Sequence, residues 1–207
     1  IEPQSSSQPI LSSDEPSKED SSQSISEEIL TSSSQIENNI STLPEYEQYQ
    51  KYVEPFMYEI GWKSWDDPMQ LDPDALAVYY ISLEGIGEIK IPRDGPRDKE
   101  FGNPLMPAED VEQAVQKHFD VTTEHMRKSQ YYDPDTNCYW SGGIGSTADV
   151  YVVGTEQDND LLTIYFRAQI NSSLYKAAWD CKTVIQIYED NYKYLSFEKN
   201  LIYEIEP

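Results

Sequence analysis

The sequence predicts an α+β fold, with helices packed on one face of an antiparallel β-sheet. Apolar residues recur every three or four positions between residues 45 and 128, which is typical of amphipathic helices. From residue 130 onward, apolar and polar residues alternate, as they do in half-buried strands. Helices that precede a series of strands with short polar connections indicate an α+β domain ending in a meander.

Residues 1–43 are expected to form a disordered linker ahead of one globular domain at residues 44–207. The linker holds 14 serines, many acids and glutamines, and no aromatic residue. Such a segment buries too little apolar surface to offset the entropy lost on ordering. Every Tyr, Trp and Phe follows Leu43, so we expect a flexible tether up to that point.

Two helices are predicted at the start of the domain. The first spans residues 45–60, with a kink or break at Pro55, whose ring removes a backbone donor, and with Gly61 as its terminator. The second spans residues 71–85 and begins at Asp72, because an aspartate before a proline is a common helix cap.

Two further helices follow a loop at residues 91–104, which is rich in Pro, Gly and charge. The clearer helix spans residues 106–120 and is opened by Pro107, with acids near its positive end. A short helix at residues 121–128 is expected next, capped by Asp120.

The second half of the domain is predicted to be an antiparallel meander. Leu162, Ile164 and Phe166 alternate with polar residues, so they should share the buried face. The segments TEQDND and EDN are short and polar, as expected of turns between paired strands. Strands are predicted at residues 130–133, 137–141, 149–154, 161–168, 182–188, 192–198 and 201–205.

The stretch SQYYDPDTNCYWSGGIG at residues 129–145 has two interpretations. Asp133, Asp135 and Asn137 alternate like the first three ligands of a calcium loop. Such a loop also needs a glycine at its sixth position and a glutamate at its twelfth, where this chain has a cysteine and an isoleucine. Because Asp-Pro-Asp-Thr-Asn is typical of a tight turn, a β-hairpin is predicted, with calcium binding as the alternative.

The two cysteines leave two possibilities open. A disulfide between Cys138 and Cys181 would close a loop of about 43 residues and add ~4 kcal/mol of stability. The alternative is two buried free thiols. Neither cysteine lies in a CxxC pair, and His118 is expected in the core, so neither a zinc site nor any cofactor is predicted.

Aromatic residues supply the candidate binding surface. Neighbouring side chains on a strand point to opposite faces, so about half of the aromatic residues on strands should lie outside the core. Exposed Tyr and Trp are good anchors for proteins, peptides or glycans. For most of the aromatic residues, however, packing beneath the helices or over a sheet face is the favoured interpretation. The candidates are Trp62, Trp65, Tyr131, Tyr132, Tyr139 and Trp140.

Charge and hydropathy exclude several classes of partner. The formal net charge is −23, which repels phosphate backbones and anionic lipid headgroups, so nucleic-acid binding is not predicted. No apolar run approaches the ~20 residues that span a bilayer, so no membrane insertion is predicted. The opening IEPQSSSQ has no initiator Met, which leads us to expect that a leader precedes residue 1.

The order of a Ser/Gln/Glu-rich tether and a Tyr-rich α+β domain resembles the extracytoplasmic part of uncharacterised lipoproteins of Gram-positive bacteria. MPAEDVEQAVQKHFDVTTEHMRKSQYYDPDTNCYW at residues 106–140 is similar in pattern to domains found there. The resemblance implies a location at the cell surface or outside the cell, with a lipid anchor upstream of residue 1. It brings no catalytic residues to this chain.

Two functions are compatible with these features. The first is a non-enzymatic extracytoplasmic module, tethered to the surface or secreted, that binds an unknown protein, peptide or glycan. The second is an extracellular hydrolase that works through acidic residues. Two acids converging in a deep pocket would favour the hydrolase, whereas a shallow aromatic patch on the sheet, with no such pocket, would favour the binding module.

Overall fold

A computed structural model describes residues 41–205, apart from residues 93, 100, 101, 141–147, 174 and 190. The predicted linker therefore lies outside the described residues, except for its last three positions. Among these, Thr42 is bonded to the domain. Its hydroxyl donates to Oε1 of Gln50 at 2.6 Å and accepts the backbone N–H of Val152 at 3.2 Å.

The domain begins with a succession of short helical turns. The expected break at Pro55 is present, because the turn that contains this proline is a 3₁₀ segment separate from the α-helical turn before it. The predicted helix at residues 45–60 is thus divided into 3₁₀ turns at Pro44–Tyr49, helix α1 at Gln50–Val53, and 3₁₀ turns at Glu54–Met57 and Glu59–Gly61.

The other helices match their predicted positions closely. A 3₁₀ turn at Pro68–Gln70 precedes α2 at Pro73–Gly85, and Asp72 caps α2 by accepting the N–H of Asp74 at 2.9 Å. Helix α3 spans Ala108–His118. Helix α4 spans Thr123–Met126, and its cap is Thr122 rather than Asp120, since the Thr122 hydroxyl accepts the N–H of His125.

The strands form two antiparallel sheets rather than the single sheet that was predicted. In the small sheet the order is β1-β3-β2, because the segment before α3 pairs with the aromatic hairpin. The large sheet has the order β4-β5-β6-β7, which confirms the meander. The strands are β1 at Leu105–Pro107, β2 at Tyr132–Asp133, β3 at Cys138–Trp140, β4 at Asp149–Asp158, β5 at Leu161–Asn171, β6 at Lys176–Tyr188 and β7 at Asn191–Ile205.

Several strand boundaries differ from the prediction, since β5 continues to Asn171 rather than residue 168 and β6 begins at Lys176 rather than residue 182. Two further differences fall at polar segments that suggested a connection. Residues 192–198 and 201–205 belong to the single strand β7, whose register shifts opposite Ala178/Trp179 and Val184/Ile185. Residues 155–158 continue β4 rather than forming a turn. In both places the polar residues that suggested a connection are solvent-exposed or half-exposed strand positions.

The core lies between the helical segments and one face of the large sheet. Phe56, from the first helical turns, contacts Phe166, Tyr194 and Phe197 of the sheet with ring centroids 4.6 to 5.5 Å apart. Tyr79 of α2 meets Phe119, which follows α3, at 4.8 Å. Aromatic rings therefore join the two layers, as edge-on and tilted ring pairs commonly do in protein cores.

Candidate functional site

The stretch that resembles a calcium loop is a hairpin turn, as predicted. Oδ1 of Asp133 accepts the N–H of Asp135 at 3.0 Å, and its Oδ2 accepts the Thr136 hydroxyl at 2.8 Å. These bonds, that of Thr136 first, lower the pKa of Asp133. Asn137 takes the left-handed backbone with φ of 51° and accepts the Tyr132 hydroxyl at 3.0 Å. The side-chain oxygens of Asp133 and Asn137, which would be calcium ligands in the alternative interpretation, therefore accept hydrogen bonds within the hairpin.

Two of the six candidate aromatic residues are in the core, so their assignment to a binding surface is wrong. Tyr139 is fully buried, and Trp65 is 5% exposed because it pairs with Phe197 at the edge of the large sheet. Of the others, Tyr131 is half-buried and packs edge-on against Trp140 at 4.9 Å. Trp62 is 58% exposed. The six residues are therefore divided between core and surface.

Tyr132 is half-buried and belongs to a polar cluster beside the hairpin. The guanidinium of Arg127 lies 5.2 Å from the centroid of its ring. The same guanidinium donates to both carboxylate oxygens of the buried Glu112, at 2.6 and 3.2 Å. These contacts fix Tyr132 against α3 and α4, which is a structural role for the residue.

Both cysteines are free thiols in the structure. Cys138 is half-buried in β3 of the small sheet, whereas Cys181 is buried in β6 of the large sheet. Burial raises the pKa of the Cys181 thiol to about 12, so this thiol stays protonated and unreactive at neutral pH. The disulfide alternative is therefore not adopted.

His118 lies in the core, as predicted, but it also belongs to a charged cluster that the sequence did not reveal. Its ring is 1% exposed, with Nε2 at 3.0 Å from Oε2 of Glu88 and Nδ1 at 3.3 Å from the carbonyl of Tyr192. Nζ of Lys117 lies 3.5 Å from the same Glu88 oxygen. The cluster joins the segment after α2, the end of α3 and strand β7.

This cluster borders a cavity of about 290 Å³, whose chemistry is set by Glu88. Hydrogen bonding to His118, followed by the charges of His118 and Lys117, lowers the pKa of Glu88 to about 2. A carboxyl with that pKa is ionised at neutral pH and cannot donate a proton, so Glu88 is unsuited to act as a general acid. The cavity is lined by Lys51, Tyr52, Glu88, Lys117, Ile187, Glu189, Asn191 and Tyr192.

A different surface stands out at the end of β7. Residues 200–205, here called the β7 tip, are all exposed, although most of them are apolar. In the tip Leu201 and Ile205 are each 57% exposed, and Ile202 and Tyr203 are each 44% exposed. Such apolar exposure at neighbouring positions of one strand distinguishes the tip from apolar residues scattered singly over a surface.

The β7 tip is also the uncovered part of a sheet edge. At the opposite edge, Gln50 donates to the carbonyl of Val150 at 2.8 Å, and Ala148 donates to the carbonyl of Met57 at 3.3 Å. At the β7 edge, Trp65 and Phe197 exchange two backbone hydrogen bonds of 2.8 Å. The last bond to an outward backbone group along this edge joins the N–H of Lys199 to the hydroxyl of Ser64 at 2.9 Å. Beyond it, the Tyr175 hydroxyl donates to the side chain of Glu204 at 2.8 Å, and no other described segment bonds to the outward backbone groups.

No protein-family model, curated protein sequence or solved structure matches this chain. In the part of the chain that the structure describes, no helix has both the length and the apolar character needed to cross a membrane. The same residues contain no group of three or more His, Cys, Asp or Glu side chains arranged to hold a metal ion.

Proposed function

We propose that this domain is a non-enzymatic binding module and that the β7 tip is its contact surface. The observation that carries the proposal is the exposure of four large apolar side chains, Leu201, Ile202, Tyr203 and Ile205, on consecutive or alternate positions of an edge strand. Burying a large apolar side chain contributes about 1.5 to 3 kcal/mol when it was fully exposed. Four half-exposed side chains therefore offer a partner several kcal/mol of favourable burial.

The exposed tip is difficult to account for by folding alone. Long apolar edge strands favour unwanted association, and proteins usually protect them with charge, proline or a covering segment. This domain covers the edge of β7 at Phe197 and Lys199, but no described segment bonds to the outward backbone groups of the following residues, where the one bond seen is that of the Tyr175 hydroxyl to the Glu204 side chain. A surface that is left apolar at an edge is typical of a site that receives a partner.

The proposal extends to the location of the module. We propose that it acts outside the cytoplasm, at the cell surface or as a secreted protein, held at a distance by the serine-rich residues 1–43. The composition of that segment and the resemblance to Gram-positive lipoproteins support this part of the proposal. Proteolysis of intact cells that produce the protein tests it, since an extracytoplasmic domain is released by an added protease and a cytoplasmic one is protected.

The hydrolase alternative depends on an acid that retains its proton near neutral pH. Of the acids that line the cavity beside His118, Glu88 is held in its ionised form by its hydrogen bonds and neighbouring charges. Burial raises the pKa of Glu54, but this residue does not line that cavity. The hydrolase thus stays a prediction from sequence, and the binding module is the function that we propose.

Selection of displayed random peptides on the purified protein tests the binding function. We expect selected peptides to lose at least tenfold in affinity when Leu201 and Ile205 are both changed to Asp, because charge replaces the apolar contact. The matched control is Val153→Asp, since Val153 is 43% exposed on β4, away from the tip. Peptides that bind all three proteins equally, or a failure to select any peptide, would overturn the proposal.

A further inference from the structure

We infer that the β7 tip binds an extended, lysine- or arginine-containing peptide segment of a partner protein, which adds to the large sheet as a fifth strand beside β7. The inference rests on the proposed binding function and specifies its mode and its partner. It is carried by the direction of the backbone groups, by the two apolar faces of the tip, by its length and by the charge of the chain.

The backbone groups of β7 at its outer edge are oriented for pairing. Phe197 exchanges both of its backbone hydrogen bonds with Trp65, and Lys199 donates its N–H to Ser64. Backbone groups along a strand point alternately to one side and the other, so those of Leu201 point outward like those of Lys199. An added strand would continue the pairing that Trp65 begins as far as Leu201, because the register of β7 shifts between Leu201 and Tyr203 and interrupts the alternation there.

Both faces of the tip offer apolar contacts to such a strand. Leu201 pairs with Trp179, which lies two residues from the buried Cys181 and therefore on the face that the helices cover. Tyr203 and Ile205 pair with Ala178 and Lys176, so they lie on the opposite face. Side chains on alternate positions of an added strand would meet Leu201 on one face and Tyr203 and Ile205 on the other.

The size of the tip favours a peptide segment over a second copy of the domain. Six residues of antiparallel strand extend about 20 Å, which is the length of a short strand. The contact area that such a short, single-strand strip offers is smaller than the ~1,200 to 2,000 Å² that stable interfaces between folded proteins bury. Strand addition gains affinity from main-chain hydrogen bonds as well as side-chain burial, so it suits a narrow site.

Charge complementarity determines the chemistry of the segment. The formal net charge of −23 opposes the approach of a second copy and attracts basic chains. Glu204 lies in the tip next to the apolar residues and is exposed, and its carboxylate accepts the Tyr175 hydroxyl at 2.8 Å. Glu198, just before the tip, is already paired with the ammonium of Lys182 at 2.8 Å, so Glu204 is the acid that we assign to a basic segment. The ammonium of Lys199 lies 4.0 Å from the centroid of the Trp179 ring, so this cation is directed toward the indole. A segment that alternates basic and apolar residues is therefore the expected occupant.

The test uses three synthetic nine-residue peptides: KVKVKVKVK, its acidic counterpart EVEVEVEVE, and KVKPKPKVK, whose prolines remove strand hydrogen bonds. We expect the first peptide to bind at physiological salt and to slow amide hydrogen exchange at Leu201 at least tenfold. The other two should bind at least tenfold more weakly.

Two variants separate the contribution of the Leu201 backbone from that of its side chain. Leu201→Pro removes the outward N–H, and Leu201→Ala shortens the side chain while keeping that N–H.

Strand addition predicts that Leu201→Pro weakens binding of KVKVKVKVK more than Leu201→Ala does. Equal binding of the lysine and lysine–proline peptides, or binding without protection of Leu201, would overturn strand addition. Displayed peptides that depend on Leu201 and Ile205 would still support the proposed function in that case. Sedimentation that reveals dimers of the wild type, but not of the Leu201→Asp/Ile205→Asp variant, would instead assign the tip to a second copy and overturn the inferred partner.

Discussion

The side chain of Glu88 joins the segment after α2 to helix α3 and strand β7. Its carboxylate contacts His118 and Lys117 at the end of α3, and it accepts a long hydrogen bond of 3.4 Å from the Tyr192 hydroxyl of β7. A carboxylate that is held by several donors is stabilised in its charged form. The segment after α2 is therefore anchored to the domain by a group whose strength depends on pH.

Replacement of Glu88 by Gln is expected to lower the free energy of unfolding by about 1 to 2 kcal/mol at pH 7. The folded pKa of Glu88 is about 2, below the ordinary value of 4.5, so the ionised carboxylate stabilises the fold fully above pH 4.5. That contribution is lost as the pH falls toward 2. Urea unfolding of both proteins at several pH values should therefore give a difference that shrinks on acidification.

The control for this measurement is Glu189→Gln. Glu189 lines the same cavity, but no hydrogen bond or ion pair of its side chain to another described residue is present. An exposed substitution of this kind changes stability by less than about 0.5 kcal/mol. Equal effects of the two substitutions at pH 7, or a Glu88 effect that grows at low pH, would contradict the anchoring role.

At this scale, local chemistry could be predicted and long-range chemistry could not. Asp133 and Asn137 form the predicted turn because their partners lie within five residues. His118 and Glu88 lie 30 residues apart, so no local pattern reveals their contact. Strand alternation correctly assigns Tyr139 and Trp140 to different faces, but it does not say which face a second layer covers.

Among the elements, two glycines at the ends of the first two predicted helices, Gly61 and Gly85, have different roles. Gly85 ends α2, and a Cβ added there would meet no atom within 4 Å. A Cβ added to Gly61 would lie 2.2 Å from the carbonyl oxygen of Phe56, closer than any real contact. Gly61 is therefore required by a close approach of two backbone segments, next to the aromatic cluster around Phe56.

Gly61→Ala is expected to destabilise the domain by about 2 kcal/mol or more, because the backbone near Phe56 must move to admit the methyl group. Gly85→Ala is the matched control. It should be neutral or slightly stabilising, since alanine is the better helix former and has room at this position. Thermal unfolding of both variants measures the difference. A Gly61→Ala protein as stable as Gly85→Ala would contradict the close approach.

Local sequence determines the positions of helices more closely than it determines the ends of strands. Asp72 and Pro73 mark the start of α2 because capping is a local hydrogen bond. Strand β1 escaped prediction because three residues, Leu105 to Pro107, carry no periodic signal and become a strand only by pairing with β3. The continuity of β7 through Asn200 is likewise set by its partner β6.

At the scale of the whole molecule, the alternation of apolar residues predicts a meander but not the number of sheets. The number of sheets depends on which distant segments pair. Here β1 pairs with β3 and forms a second sheet, and such pairing cannot be inferred from one sequence. The β7 tip illustrates the same limit. The alternation in residues 201–205 predicts an ordinary half-buried strand. Their exposure depends on the packing of distant segments, which the sequence of the strand does not show.

The net charge determines how the molecule responds to salt. At pH 7 the 38 acidic and 15 basic residues repel one another on balance, and folding brings like charges closer together. The screening length falls from about 30 Å at 10 mM salt to about 10 Å at 100 mM. Raising NaCl from 10 to 200 mM should therefore raise the melting temperature by about 2 to 4 °C, equivalent to ~1 kcal/mol.

Two controls separate screening from specific ion binding. Near pH 4.2, the isoelectric point of the chain, the net repulsion vanishes, so the same addition of NaCl should leave the melting temperature almost unchanged. At pH 7, CaCl₂ at matched ionic strength should act as NaCl does, within about twofold for general divalent screening. A much larger rise with calcium, abolished by Asp133→Asn, would contradict general screening. It would assign a calcium site to the hairpin, because a ligand that binds the folded state alone stabilises it by an amount that rises with the logarithm of its affinity.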